Sequence, residues 1–229
     1  MTSIAANLQA VRTRIAGACA AAGRSVDEVS LLAVSKTWPA DAVRQAARCG
    51  QRAFGENYVQ EALAKIASLA DLDLEWHFIG PLQSNKTRAV AENFAWVHGI
   101  DRLKLAERLS AHRPAALPPL QVCVQVNVSR EASKSGSTAE EAPALCRAVA
   151  ALPNLKLRGL MAIPEPGQES AFVVRRFAEL RTLRDRLNAE GLGLDTLSMG
   201  MSDDLEDAIM EGATIVRVGT AIFGKREKT

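Results

Sequence analysis

Eight apolar, strand-like runs alternate with helical stretches along the chain, and this alternation restricts the available folds more than any other feature. The runs are LLAVS (31–35), RAFG (52–55), EWHFIG (75–80), AWVHGI (95–100), LQVCVQVNV (120–128), KLRGLMAI (156–163), DTLSMG (195–200) and TIVRVG (214–219). Residues 39–49, 56–70, 84–93, 101–112, 138–151, 168–190 and 203–211 read as helices between and after them. In the longest, Phe172, Phe177, Leu180, Leu183 and Leu187 recur at helical spacing. Strict β–α alternation calls for parallel strands covered by helices, an α/β architecture. Eight such units in 229 residues suit a closed (β/α)8 TIM barrel better than an open, doubly wound sheet. The second choice lacks a G-x-G-x-x-G fingerprint, but periodicity alone does not separate the two. The Pro-rich patch 113–119 and the segment 129–137 read as loops, and no Ser/Gly-rich linker divides the chain. Residues 1–229 are therefore read as a single domain.

Bulk composition narrows the function. Apolar residues make up 48% and charged residues 24%, which suits a globular protein with a sizeable core. A net charge of +2, evenly spread, argues against nucleic acid as partner. No run approaches the roughly 20 apolar residues of a membrane span. The N-terminus lacks a secretion pattern; Ile4, Leu8, Val11 and Ile15 instead mark an amphipathic helix. Cys19, Cys49, Cys123 and Cys146 are scattered without a C-x-x-C pair. They read as reduced thiols of a cytoplasmic protein, with no metal site and no disulfide framework.

In a barrel of this type, function gathers at the C-terminal ends of the strands. Ser35-Lys36, Glu56-Asn57-Tyr58, Gly80 with Gln83, Asn85 and Lys86, then Asn127, Ser198-Met199-Gly200-Met201-Ser202 and Gly219-Thr220 all fall there. Lys36 closes an apolar run before the breaker Thr37-Trp38-Pro39. Burial disfavours an ammonium, and a neutral amine attacks an aldehyde to form an imine; the plain alternative is a snorkelling lysine. The last two strands offer an anion site. Ser202 opens an expected helix over 202–210, whose free N–H groups suit a phosphate. Gly219 admits a phosphate to the backbone and Thr220 adds a hydroxyl. Arg217 shares a strand face with Gly219. Buried there it needs an acceptor: either a pyridine nitrogen or a carboxylate such as Glu206 or Glu211. An always-protonated arginine would keep such a nitrogen unprotonated and weaken the ring as an electron sink. A reactive amine, a phosphate nest and a fixed cation together suggest pyridoxal 5′-phosphate (PLP) held as a Schiff base on Lys36. Asn57 would reach the ring or else cap the following helix. His77 and His98 read as satisfied core histidines and His112 as an exposed one. Ser133-Lys134-Ser135-Gly136 reads as a solvated loop, with a second anion contact as the alternative.

The segments AVSKTWP (33–39), FGENYVQE (54–61), WHFIGPLQSNK (76–86), SKSG (133–136), RGLMAIP (158–164), SMGMSDDLEDAI (198–209) and VRVGTAIFG (216–224) resemble the pyridoxal phosphate homeostasis family. They run in order over nearly the whole chain. The resemblance implies a barrel like the N-terminal domain of alanine racemase, with PLP on Lys36. It implies that Ser202, Gly219 and Thr220 hold the phosphate, that Arg217 faces the ring nitrogen, and that Asn57, Met199 and Gly200 line the cofactor. It also implies a role in vitamin B6 homeostasis without established catalysis, with PLP-dependent apo-enzymes as recipients and a monomer or weak dimer as the assembly. Racemases carry a second, β-rich domain that supplies a tyrosine, and none is expected here after Phe223-Gly224. The racemase histidine position falls on Ile163. Two-base racemisation needs a proton donor on each face of the substrate carbon; Lys36 could serve one and no residue is read for the other, so a racemase-like PLP enzyme is kept as the alternative. A barrel enzyme that binds another phosphate ligand and uses Lys36 as base is the third reading.

Overall fold

A computed structural model describes residues 3–129, 135–165 and 169–225. Its eight strands are β1 (Ser30–Val34), β2 (Ala53–Glu56), β3 (Glu75–Phe78), β4 (Trp96–Ile100), β5 (Leu120–Gln125), β6 (Leu155–Met161), β7 (Thr196–Ser198) and β8 (Ile215–Val218). They form a closed parallel barrel in sequence order. β8 closes on β1, with Ser30 opposite Ile215 and Ala33 opposite Val218. The open-sheet alternative is thereby excluded: an open sheet would leave the edges of β1 and β8 unpaired.

Helices α1 (Ile4–Ala21), α2 (Ala40–Arg48), α3 (Val59–Ser68), α4 (Thr87–Asn93), α5 (Leu103–His112), α6 (Ala142–Ala150), α7 (Ser170–Ala189), α8 (Leu205–Met210) and α9 (Thr220–Phe223) surround it. The N-terminal stripe behaves as its spacing predicts, with Leu8, Val11 and Ile15 buried. Arg14 ties α1 to α8 through a two-pronged contact with Glu206, at 2.6 and 2.7 Å. Among the described helices, none is long and apolar enough to cross a membrane.

Strand alternation splits the apolar residues into two layers. The main core lies between sheet and helices and holds Ala33, Phe54, Phe78, Val97, Val122, Leu160, Leu197 and Val216. A smaller cluster fills the barrel with Leu32, Val34, Ile79, Trp96, Cys123, Met161 and Ile215. The same parity decides which polar residues point inward, and through them the site.

Candidate functional site

A chamber of about 240 Å3 opens at the C-terminal end of the barrel. Lys36, Asn57, Ser202, Arg217, Gly219 and Thr220 line it, with Val34, Trp38, Ile79, Ile163, Met201, Asp203 and Gly224. The strand period accounts for these walls. Val34 is on the inner face of β1 and Lys36 follows it two residues on, as Gly219 follows Arg217 of β8. Trp38 is held from outside by stacking on Phe223, with ring centres 5.9 Å apart.

Arg217 is only 4% exposed although it lines the chamber. Its Nη1 donates to Ser198 Oγ at 2.8 Å and its Nη2 to the Ala162 carbonyl at 2.9 Å. Burial pulls the guanidinium down to about 10, with Asp204 working against the fall, so it stays charged at neutral pH. The expected carboxylate alternatives are ruled out, because Glu206 pairs with Arg14 and Glu211 with Arg181. Asn57 is no helix cap: α3 begins after Tyr58, which makes no side-chain cap bond. The Asn57 Oδ1 is buried and has no hydrogen-bond partner among the described residues. An orphaned acceptor in a ligand-sized chamber invites a donor from a bound molecule. Gly219 supplies a close approach, since a Cβ there would lie 3.1 Å from the Val34 carbonyl oxygen. The donor set, the orphaned acceptor and the glycine-lined wall fit an anionic, aromatic aldehyde such as PLP.

Several expectations change in detail. Met199 packs entirely in the sheet–helix core rather than in the chamber. Gly200 backs the wall at φ 92°, where a Cβ would meet Ala208 at 2.5 Å; Met201 takes the lining position instead. The helix expected from Ser202 begins only at Leu205. Ser202 accepts instead, through its Oγ, from the Ala221 N–H of α9 at 3.3 Å. Ser35 and Glu56 were expected at the mouth, but strand parity turns both outward into the sheet–helix layer, where each is fully buried. Gln83, Asn85 and Lys86 lie in and beside a short 3-10 turn over 84–86 and do not line the chamber. Asn127 lines a neighbouring cavity of about 230 Å3 that shares Asn57, Ile79 and Ile163 with the first. His112 is half-buried, with Nδ1 3.2 Å from Thr87 Oγ1. His77 and His98 are buried and bonded, as expected. Ser133 and Lys134 of the SKSG segment lie outside the described residues.

Sequence reading missed a buried ionic cluster behind Lys36. Lys65 of α3 donates to Glu56 Oε1 at 2.7 Å, to Glu61 Oε1 at 2.6 Å and to the Ser35 carbonyl at 2.7 Å. Ser35 Oγ donates to the same Glu56 oxygen at 2.6 Å. Glu61 also accepts from the Thr37 N–H at 2.5 Å. Both peptide units beside Lys36 are thus held, and Thr37 sits in the left-handed region at φ 68°. The Glu61–Lys65 spacing of one helical turn was the available signal.

Known proteins resemble the chain closely. Residues 2–227 match the family model described as alanine racemase, N-terminal domain. The pyridoxal phosphate homeostasis protein of Pseudomonas aeruginosa is 65% identical over 227 residues, covering 99% of this chain and 97% of that one. Its namesake in Escherichia coli K12 is 54% identical over 233 residues, covering 99% and 98%. The structure of PipY from Synechococcus elongatus PCC7942 with PLP bound superposes with a TM-score of 0.85 at 40% identity, covering 97% of this chain and all of that one. Barrel and mouth together define a protein of the alanine racemase N-terminal domain class. Within that class, the chain belongs to the pyridoxal phosphate homeostasis protein family.

Proposed function

We propose that this chain binds PLP covalently through Lys36 and holds it for release to PLP-dependent apo-enzymes, without turnover of its own. The observation that carries this reading is the convergence of Lys36, Arg217 and the orphaned Asn57 Oδ1 on one chamber. When bound, PLP supplies an aldehyde that condenses with an amine, releasing water. Lys36 is the amine. Ser202, Gly219 and Thr220 would receive the phosphate, and Val34, Ile79 and Ile163 would offer apolar walls to the ring.

Arg217 is the reason turnover is not expected. Held from behind by Ser198 and the Ala162 carbonyl, it offers only donors to the chamber. A charged donor at the ring nitrogen keeps that nitrogen unprotonated and limits the ring as an electron sink. A second acid–base group is also poorly provided. Besides Lys36 and Arg217, the titratable lining residue is Asp203, exposed at the rim beside Ser202. Free thiols at all four cysteines fit a reducing, cytoplasmic setting.

The purified protein should show the visible band of a PLP imine, and borohydride should trap a PLP-sized adduct on Lys36. Lys36→Ala should lose both. A wild type that takes up no added PLP would overturn the proposal. Exchange of the α-proton of an amino acid with solvent deuterium, with the opposite enantiomer accumulating, would favour the racemase-like alternative.

A further inference from the structure

A line of polar side chains crosses the apolar barrel interior from its floor to Arg217, and its hydrogen bonds have one consistent direction. A guanidinium only donates, so Ser198 Oγ accepts from Arg217 Nη1 at 2.8 Å. That hydroxyl has one proton, and it points to His98 Nδ1 at 2.7 Å. With Nδ1 accepting, a neutral His98 carries its proton on Nε2, which donates to His77 Nδ1 at 2.9 Å. His77 then donates from Nε2 to Glu75 Oε1 at 2.8 Å. Glu75 stands at the N-terminal end of β3 with its side chain 47% exposed.

The opposite direction fails. It would need a protonated Glu75 to donate to His77, and His98 to donate to Ser198, leaving the serine proton without an acceptor in the chain. The bond from His77 instead holds the Glu75 carboxyl below its ordinary range, with Trp96 and Arg158 adding to the effect. Two imidazolium rings are excluded by the contact between the two histidine nitrogens, where one must accept. Burial disfavours a charge on both rings and Arg217 repels one on His98, while Trp96 stacks on His77 at 5.3 Å. Glu75 alone favours a charge on His77, and burial outweighs it.

We propose that Ser198, His98, His77 and Glu75 form a one-way donor chain that fixes the Arg217 guanidinium in the orientation it presents to the chamber. Ser198 contacts Arg217 directly, and the two histidines and Glu75 are positioning residues acting through it. The chain is polarised, with a cation at the mouth and a carboxylate at the floor, so every intervening dipole points the same way. The inference deepens the PLP reading and rests on it only for the identity of the ligand.

Two measurements test it. Long-range imidazole 15N NMR of the wild type, which needs no PLP, should find both His77 and His98 neutral with the proton on Nε2. The other tautomer, or an imidazolium, at either ring overturns the chain. PLP titration of Ser198→Ala and His98→Phe should then show about tenfold weaker binding and a shifted visible band. The adduct on Lys36 should still be trappable, and Ser198→Thr should restore both readouts. Wild-type affinity and an unshifted band in both variants overturn the positioning role. If the wild type binds no PLP, the ligand reading fails instead, and the tautomer spectrum tells that case apart from failure of the chain.

Discussion

Lys65→Met tests whether the ionic cluster behind Lys36 is a structural keystone. The Lys65 side chain is 6% exposed and Glu56 is fully buried. Removing one partner of such a pair strands the other, at about 3–5 kcal/mol. The second bridge, to the 30%-exposed Glu61, adds less than about 1 kcal/mol after screening. We therefore expect a loss of roughly 4 kcal/mol in urea unfolding at about pH 8. The loss should depend on pH. Burial already raises the Glu56 carboxyl above its ordinary 4.5, while the bonds from Lys65 and Ser35 pull it back. Without Lys65 it rises further. A folded-state pKa above the unfolded one means stability that is present in acid and lost as pH rises. Relative to the wild type, the penalty should grow by about 1.4 kcal/mol per pH unit above the wild type's own raised Glu56 pKa, then level off past the variant's higher one. Replacing both partners, as Lys65→Met with Glu56→Leu, should recover most of the loss, because no charge is then stranded. Equal penalties at about pH 5 and about pH 8, or a loss below about 1 kcal/mol at the higher pH, would refute this reasoning. Because Ser35 and Thr37 are anchored by the same cluster, the variant should also trap less PLP on Lys36 after borohydride.

Gly159→Ala should prevent barrel closure, since its Cβ would overlap the Thr196 carbonyl oxygen on the paired strand; a soluble variant with a wild-type circular dichroism spectrum would contradict this. Acid should destabilise the protein through His77 and His98, whose folded pKa values lie below the ordinary 6.5. Their contribution is complete above that value and is lost as pH falls, because the unfolded chain takes up protons that the folded one refuses. From about pH 6 to about pH 5 the two rings cost up to about 2.7 kcal/mol, and Glu56, acting in the opposite sense, offsets up to about 1.4 kcal/mol. Urea midpoints that stay flat or rise over that interval would rule the account out.

How far the site could be read in advance follows from strand parity. Lys36, Arg217 and Gly219 were legible because each lies in or directly after an apolar run whose period of two can be counted from the sequence. Glu56 and Ser35 were misplaced for the same reason: nearness to a strand end was read as pointing into the mouth, and one residue of register reverses the side. Met199 turns outward by the same count, whereas Met201 lies past the end of β7, beyond the left-handed turn at Gly200, and reaches the chamber from the loop. α8 begins late because residues 201–204 form a turn closed by Asp204 on Met201, while the Ser202 hydroxyl is engaged by α9, a contact from the next βα unit that no local pattern around Ser202 announces.

The alternation of strands and helices, the apolar faces and the lysine at a strand end are local properties, so the order of residues alone determined them. Closure of β8 on β1, the direction of the donor chain through His77, His98 and Ser198, and the burial of Lys65 against Glu56 join residues from different βα units. These depend on which strands become neighbours. Only packing settles that, because a buried polar atom must find its partner in space, wherever that partner lies along the chain.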